Sequence, residues 1–369
     1  MIQRTIMIMA GGTGGHVIPG IAVAQEMRKR AWNVVWLGHP QGMEAGLTAK
    51  HNIPMQPVLF SGFRGKGIMQ QALMPLNILR AFWQSIGALR RTKPSVVLGM
   101  GGYIALPGGL MASLLGKPLV VHEQNSVAGL TNKILSGVAD RRLNAFPNTF
   151  PKVLSNGDWV GNPVRREMLN LDEPHVRYSN RSGAIKIVVV GGSLGASALN
   201  EVLPRALALM PLQQRPTVTH QSGKGHLNKL QAAYKAAGVE ANCVEFIDDM
   251  ATIYRDADLM ICRAGAMTVC EIAAVGVASL MVPFPAAVDD HQTSNAQFLV
   301  NAKAGLLMQQ RDLSADRLAG VLASFNRPQL QAIAEAAKTL AKPNATTLVA
   351  DACEAIAKPA LPSQPVEPS

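Results

Sequence analysis

Cysteine is scarce and poorly spaced for stapling: Cys243, Cys262, Cys270 and Cys353 form no Cys-x-x-Cys pair. A disulfide scaffold and a zinc ribbon are excluded, and reduced thiols are expected. Aromatic residues are few, and charged residues reach only 16% against 48% hydrophobic. A disordered chain has the opposite balance. No Gly-X-Y period accompanies the glycines, so a collagen is excluded. Carboxylates are the most uneven absence. Residues 1–160 hold 5 Asp+Glu against 16 Lys+Arg, whereas residues 161–369 hold 19 of each, so the formal excess of +11 lies wholly in the first stretch. That half is expected to meet an anionic surface, either nucleic acid or lipid.

Long apolar runs are also rare. The N-terminal run is too short for a signal peptide and leads straight into glycines, which reads as a first strand and a cytosolic start. Ser95 to Gly116 carries no charge over 22 residues, long enough to span a bilayer, but it contains six glycines and Pro107. A strand, a glycine loop and a short helix account for it better than a span.

With 369 residues, the chain exceeds the ~250–300 at which single cores stop growing, so two domains are expected. Short β-branched runs (4–10, 33–37, 95–99, 118–122, 185–190, 216–220, 242–246, 258–262, 279–282) alternate with Ala/Leu-rich stretches such as 18–30, 198–209 and 226–237. Strands separated by helices imply α/β architecture with parallel sheets. The pattern starts twice, at Thr5–Ala10 and at Ile185–Val190, each time entering a glycine loop and then a helix. We read two Rossmann-like domains, 1–162 and 163–343. A helix over 345–357 is expected to pack back on the first, and 359–369 reads as a disordered tail.

Four strand ends run into turn-forming loops: Gly11–His16, Gly99–Tyr103, Gly191–Gly195 and Arg263–Thr268. Glycine lets backbone N–H groups approach an oxyanion, and a helix N-terminus adds partial positive charge. Several such loops would line a crevice for a phosphorylated ligand, although any one of them is equally read as a tight turn. None is a strict G-x-G-x-x-G, since Val17 stands where the last glycine belongs, and no Walker loop is present. Gly191-x-Ser193-x-Gly195 also matches a nucleophile elbow, with His291 as a later partner. That hydrolase reading leaves the first 160 residues unexplained.

Polar residues crowd other strand ends. His122-Glu123-Gln124-Asn125 follows one strand. Glu271 follows Thr268 by three, which fits a capping box or a carboxylate for ribose hydroxyls. Asp289-Asp290-His291-Gln292 precedes a helix, where helix-terminal charge is favoured over a metal site. No metal-nucleotide carboxylate pair is present, so neither a metal nor a cofactor is expected. Residues 76–91 place Leu76, Ile78, Leu79, Phe82, Trp83, Ile86 and Leu89 on an arc of roughly 160° at ~100° per residue, with Arg80, Arg90 and Arg91 beside them. This suits a core-facing helix or an interfacial helix seated on anionic headgroups, with Leu79, Phe82, Trp83 and Ile86 as the membrane residues. Nucleic acid is disfavoured by the few aromatics and the lack of an RNA-binding motif.

Six blocks in order carry a family resemblance: Gly11–His16, Gly101-Gly102-Tyr103, His122–Asn125, Gly161-Asn162-Pro163-Val164-Arg165, Gly191–Gly195, and Asp290-His291-Gln292 with Asn295-Ala296. Together they resemble the bacterial MurG-type N-acetylglucosaminyltransferases. The resemblance implies a GT-B fold whose two halves face across a cleft. It implies inverting transfer of N-acetylglucosamine from UDP-N-acetylglucosamine to lipid I, giving lipid II for peptidoglycan. The implied location is peripheral, on the cytoplasmic face of the inner membrane, in contact with anionic lipid and open to other cell-wall synthesis proteins.

Carried onto this chain, the resemblance places substrate contacts at Thr13, Gly14, Gly15, Tyr103, Asn125, Arg165, Ser193, Ile247, Ala266, Met267, Thr268, Val269, Cys270, Glu271 and Gln292. Of these, Ser193 would bond the diphosphate, Glu271 the ribose, Ile247 would lie near the uracil, and Tyr103 and His16 would face the acceptor. Cys262 and Cys270 depart from the residues usual there. His16 is the first candidate for general base, since imidazole titrates near neutral pH, and Glu123 the second. Another GT-B enzyme with a soluble acceptor, a UDP-sugar epimerase, or a non-catalytic nucleotide-sugar binder are the competing readings.

Overall fold

Strand β1 (Thr5–Met9) shows why this chain builds layered α/β units. Its side chains alternate faces, and both faces are buried. Ile6 and Ile8 pack with Val17, Ile21 and Ala24 of the helix Gly14–Lys29. Met7 and Met9 point the other way, toward Ala81 and Ala88 of the helix Met74–Thr92 and Ala105 and Ala112 of the helix Ala105–Leu114. A strand sandwiched in this way needs a continuous apolar run, which the sequence supplies.

The computed structural model describes residues 3–60, 73–150, 157–192 and 194–359. The chain divides into two compact units, one running to Pro163 and taking up the chain again from Asn344, the other Val164–Pro343. In the first unit, β1 is joined by β2 (Asn33–Gly38), β3 (Met55–Pro57), β4 (Val96–Gly99), β5 (Leu119–Glu123), β6 (Arg141–Asn144) and β7 (Asp158–Trp159). All pairings are parallel, in the order β3-β2-β1-β4-β5-β6-β7. The stretch 95–116 resolves into β4, the glycine loop and the helix Ala105–Leu114. Among the described residues no helix is long and apolar enough to cross a membrane.

The second unit holds β8 (Lys186–Val190), β9 (Thr217–Gln221), β10 (Asn242–Val244), β11 (Leu259–Cys262), β12 (Ala278–Met281) and β13 (Leu306–Leu307), again all parallel, in the order β10-β9-β8-β11-β12-β13. Both sheets thus reverse direction once. The switch points lie between β1 and β4 and between β8 and β11, where an open parallel sheet leaves a crevice at its strand C-termini.

The helix Ala345–Ile356 returns to the first unit. Val349, Ala350 and Cys353 enter the same core face as Val17 and Ile21. Arg30 Nη1 pairs with Asp351 and Glu354, each at 2.7 Å, and Trp32 Nε1 donates to Glu354 at 2.9 Å. Of the expected tail 359–369, all but Pro359 lies outside the described residues.

The second unit is tied at its base by Asp258, which is fully buried. It accepts from Arg181 at 2.7 Å, from the Lys186 amide at 2.8 Å and from Arg327 at 3.2 Å. Burial alone would raise its pKa. The amide and the two guanidinium groups outweigh burial and hold it below the usual carboxylate range. A depressed carboxyl stabilises the fold above its unfolded pKa, and that contribution is lost as pH falls through the folded value. Asp258→Asn is expected to destabilise the second unit by about 3 kcal/mol at neutral pH. The difference from wild type should shrink below about pH 4, where an unfolded Asp protonates. Urea denaturation at the two pH values checks both the size and the sign.

Candidate active site

In the first unit the switch point is framed by the loops after β1 and β4. The Met100 amide donates to Met9 O at 2.8 Å, continuing the ladder past the strand ends. The loops then touch backbone to backbone. Gly102 has φ +80°, and a β-carbon there would overlap the carbonyl oxygen of Gly11. Only glycine fits both constraints. The helix Gly14–Lys29 starts at this contact with Thr13 as an extended N-cap whose side chain caps nothing, so its first amides carry no side-chain cap.

Thr13, Gly14, Gly15, His16, Tyr103, Glu123 and Asn125 all sit at the C-terminal ends of β1, β4 and β5, as the sequence reading anticipated. Tyr103 stacks edge-on to Phe60 at 6.2 Å. Burial, with the charge of Glu44, raises its phenol above the ordinary pKa.

Glu123 has a different job from the one expected of it. It is 1% exposed. One oxygen accepts from the amide and side chain of Asn125 at 2.9 and 3.2 Å, and the other from the Gly129 amide at 3.1 Å and Asn132 Nδ2 at 2.8 Å. With four donors on it, this carboxylate fixes the loop 124–129 and has no lone pair aimed at a substrate. His16 is half-buried instead, bonded through Nδ1 to Gln124 at 2.9 Å.

Sequence reasoning missed Glu44. It is fully buried and accepts from the His39 amide at 2.9 Å and the Gly12 amide at 3.4 Å, bracing the first glycine loop. The available signal was rarity: Glu26 and Glu44 are the only carboxylates before Glu123.

The second unit has a similar backbone contact, here between the loops after β8 and its neighbour β9. Gly195 has φ +77°, and a β-carbon there would overlap the Ser222 carbonyl. The Ser222 loop is held by a fully hydrogen-bonded interior that the sequence did not announce. Asn200 Nδ2 donates to Ser222 O at 3.0 Å, His220 Nε2 lies 3.0 Å from Asn200 Oδ1, and Tyr234 OH lies 2.9 Å from His220 Nδ1. Burial pushes His220 down to about 3, so it is neutral. Ser193 lies outside the described residues.

Across the switch point, Arg263 donates to Val282 O at 3.1 Å, Pro283 O at 3.0 Å and Gln310 at 2.7 Å, with Phe284 under its guanidinium. Asn295 Nδ2 donates to Ala264 O at 3.2 Å. These bonds set the start of the helix Ala266–Val275, whose N-cap is Gly265. The capping-box reading is therefore corrected: Thr268 lies inside the helix and does not cap it. Glu271 is buried one turn in, where burial raises its pKa against the pull of Arg165, and Tyr254 OH donates to it at 3.3 Å. Ala266 and Val269 are buried, while Met267, Thr268 and Cys270 remain partly open.

Ile247 is buried just beyond β10, and Gln292 accepts from the Phe284 amide at 2.9 Å. Asp290 stands at the N-cap position of the helix His291–Asn301, but its carboxylate caps no amide there and accepts instead from the Thr293 hydroxyl at 2.7 Å.

The model of the glycosyltransferase family 28 N-terminal domain matches residues 6–143, and that of the family 28 C-terminal domain matches residues 186–352. This chain belongs to glycosyltransferase family 28. A relative from Cupriavidus necator is 61% identical, over 96% of this chain and 99% of its own length. One from Cupriavidus pinatubonensis is 60% identical over the same shares. Both are named UDP-N-acetylglucosamine--N-acetylmuramyl-(pentapeptide) pyrophosphoryl-undecaprenol N-acetylglucosamine transferase. Among solved structures, Acinetobacter baumannii MurG superposes with a TM-score of 0.84 at 40% identity, covering 95% of this chain and 99% of that one. The GT-B fold and the family expected from the sequence blocks are both present. Family membership removes the hydrolase reading, and in this fold His291 spends Nδ1 on the Val288 carbonyl at 2.7 Å.

The glycine contacts carry a stability prediction. Gly102→Ala and Gly195→Ala each combine a left-handed backbone, ~1–3 kcal/mol, with overlap against backbone, ~1–3 kcal/mol. Gly192 also has positive φ, but a β-carbon there meets nothing within 4 Å among the described residues. Gly192→Ala should cost only ~1–2 kcal/mol. Chemical denaturation of the three variants should return that order.

Proposed function

We propose that this protein transfers N-acetylglucosamine from UDP-N-acetylglucosamine to the 4-hydroxyl of the muramoyl sugar of lipid I, inverting the anomeric centre and giving lipid II. The observation that carries it is identity of about 60% over 96% of the chain to enzymes named for this transfer. An epimerase or a transferase with a soluble acceptor has no comparable support.

The chemistry follows from what each unit offers. The second unit takes the donor. Ser193 and the backbone amides of Gly191–Gly195 receive the diphosphate, Glu271 accepts the ribose hydroxyls, and Ile247 lines the uracil. Arg165, the stretch Ala266–Cys270 and Gln292 complete the contacts. As the anomeric C–O bond breaks, charge develops on the leaving UDP, and fixed amides stabilise it without reorganising. Thr13, Gly14, Gly15 and Asn125 are further donor contacts, Asn125 with Gln292 at its sugar, while Tyr103 and His16 face the acceptor. His16 removes the hydroxyl proton as the oxygen bonds to the anomeric carbon. A base in that role is worth ~10²–10⁴-fold.

The first unit also supplies a surface for the lipid. In the helix Met74–Thr92 the buried face is Ala81, Ser85, Ala88 and Leu89. Leu76, Leu79 and Trp83 are 65, 54 and 71% exposed. With Ile86 they fall within an arc of ~80° opposite the core at ~100° per residue. Phe82 and Ile86 are half-buried, so Leu79 and Trp83 lead the expected membrane residues. Arg80, Arg90 and Arg91 are exposed beside them. We assign this face to the anionic cytoplasmic leaflet of the inner membrane.

Transfer of labelled sugar from the UDP donor to a lipid I analogue tests the activity, and absence of transfer would overturn it. Glu271→Gln is expected to raise KM for the donor about tenfold or more, as loss of a charged hydrogen bond of ~1.5–3 kcal/mol implies. Leu79→Ser with Trp83→Ser should weaken binding to anionic vesicles while leaving UDP affinity unchanged. Equal vesicle binding would remove the membrane role of this helix.

A further inference from the structure

His16 begins a hydrogen-bonded chain that ends on a backbone carbonyl. Its Nδ1 lies 2.9 Å from Gln124 Oε1, Gln124 Nε2 lies 3.2 Å from His122 Nδ1, and His122 Nε2 lies 2.8 Å from Gly161 O. The polarity is set from the far end. A carbonyl only accepts, so His122 carries its proton on Nε2. His122 is completely buried, and burial pushes its pKa down to about 4, so it is neutral at physiological pH. A neutral imidazole protonated on Nε2 has an acceptor at Nδ1. The Gln124 amide must then turn its NH2 to His122 and its carbonyl to His16. That carbonyl in turn requires a proton on His16 Nδ1, which leaves the His16 Nε2 lone pair free.

The opposite polarity fails on energetic grounds. If Gln124 offered its NH2 to His16, its carbonyl would face His122 Nδ1. His122 would then donate from both nitrogens and be a cation in a fully buried site. Gln124 is itself 1% exposed, and its backbone carbonyl accepts from Asn162 at 3.0 Å. The His16 ring lies close against Gly101, where a β-carbon would sit 3.0 Å from Cε1 and Nδ1. Every member of the chain is thus held in place.

We infer that Gln124 and His122 are positioning residues that lock His16 in its Nδ1–H tautomer, so that Nε2 is the proton acceptor of the transfer reaction. The device has the logic of a catalytic triad, in which the third residue sets the tautomer of the second. Here a neutral amide and a neutral imidazole do this without a carboxylate. The inference rests on the proposed transfer only for the source of the proton; the tautomer itself does not depend on it.

The test uses the full-length protein with ¹⁵N-labelled histidine in mildly alkaline buffer, where an ordinary imidazole is neutral. Long-range ¹H–¹⁵N correlations report the tautomer, and the His16 signals are identified by their loss in His16→Asn. A protonated Nδ1 with an unprotonated Nε2 is expected. The reverse pattern, or shifts averaged between the two forms, overturns the inference. Gln124→Met should abolish the pattern and lower kcat by roughly tenfold to a hundredfold, part of the ~10²–10⁴ a base supplies, with KM for the donor held within about twofold. An unchanged kcat also overturns it. If Gln124→Met fails to fold, the wild-type spectrum decides alone. A wild type that transfers no sugar would overturn the functional reading and leave the tautomer result standing.

Discussion

Backbone touching backbone is the constraint on which the rest of this structure depends. In each unit a glycine loop at the strand C-termini lies against a neighbouring loop with no side chain between them. Gly102 does this against Gly11 in the first unit, and Gly195 against Ser222 in the second. Moving either pair apart by the width of a methyl group would turn the amides away from a shared focus. A pyrophosphate is bound by such donors only when several converge, since each bond to a charged oxygen adds ~1.5–3 kcal/mol. In the first unit the sheet order brings both loops to the switch point between β1 and β4; in the second, Gly195 follows β8 at the switch point and Ser222 follows its neighbour β9.

Loops this bare need support from below, and the support is polar. Glu44 braces the first glycine loop, Glu123 the loop after β5, and the Asn200–His220–Tyr234 chain the loop that meets Gly195. Burying such groups is tolerable because each one is hydrogen-bonded, and it fixes geometry that apolar packing would leave loose. Two of the supports are histidines kept neutral by burial, His122 and His220. Their fixed donor and acceptor sides pass orientation along the network.

The helix Met74–Thr92 shows the opposite economy. Its inward face is mostly small, Ala81, Ser85 and Ala88 beside Leu89, while Leu76, Leu79 and Trp83 point outward. Periodicity alone described one broad apolar arc and could not assign a direction to it. The direction depends on what the helix packs against, chiefly the helix Ala105–Leu114 with β2 and β3.

Much of the architecture was legible in the sequence because buried parallel strands are written as short apolar, mostly β-branched runs and several are punctuated by glycine. The strands that escaped were β3, β6, β7 and β13, two to four residues long and without that signature; they exist because an existing sheet edge pairs with them. The glycine loops, His16, Asn125 and Glu271 were visible as residue types at strand ends. The roles of Glu123 and Glu44 were not, since a carboxylate reads the same whether its oxygens face a substrate or four donors. The sequence by itself determined the two starts of the α/β pattern, the confinement of the net positive charge to one half and the family, because local periodicity, charge and motif order need no third dimension. Only the tertiary structure decided which glycines touch, which face of the helix is bare and which nitrogen of His16 is free, because each is settled by a neighbour tens or hundreds of residues away.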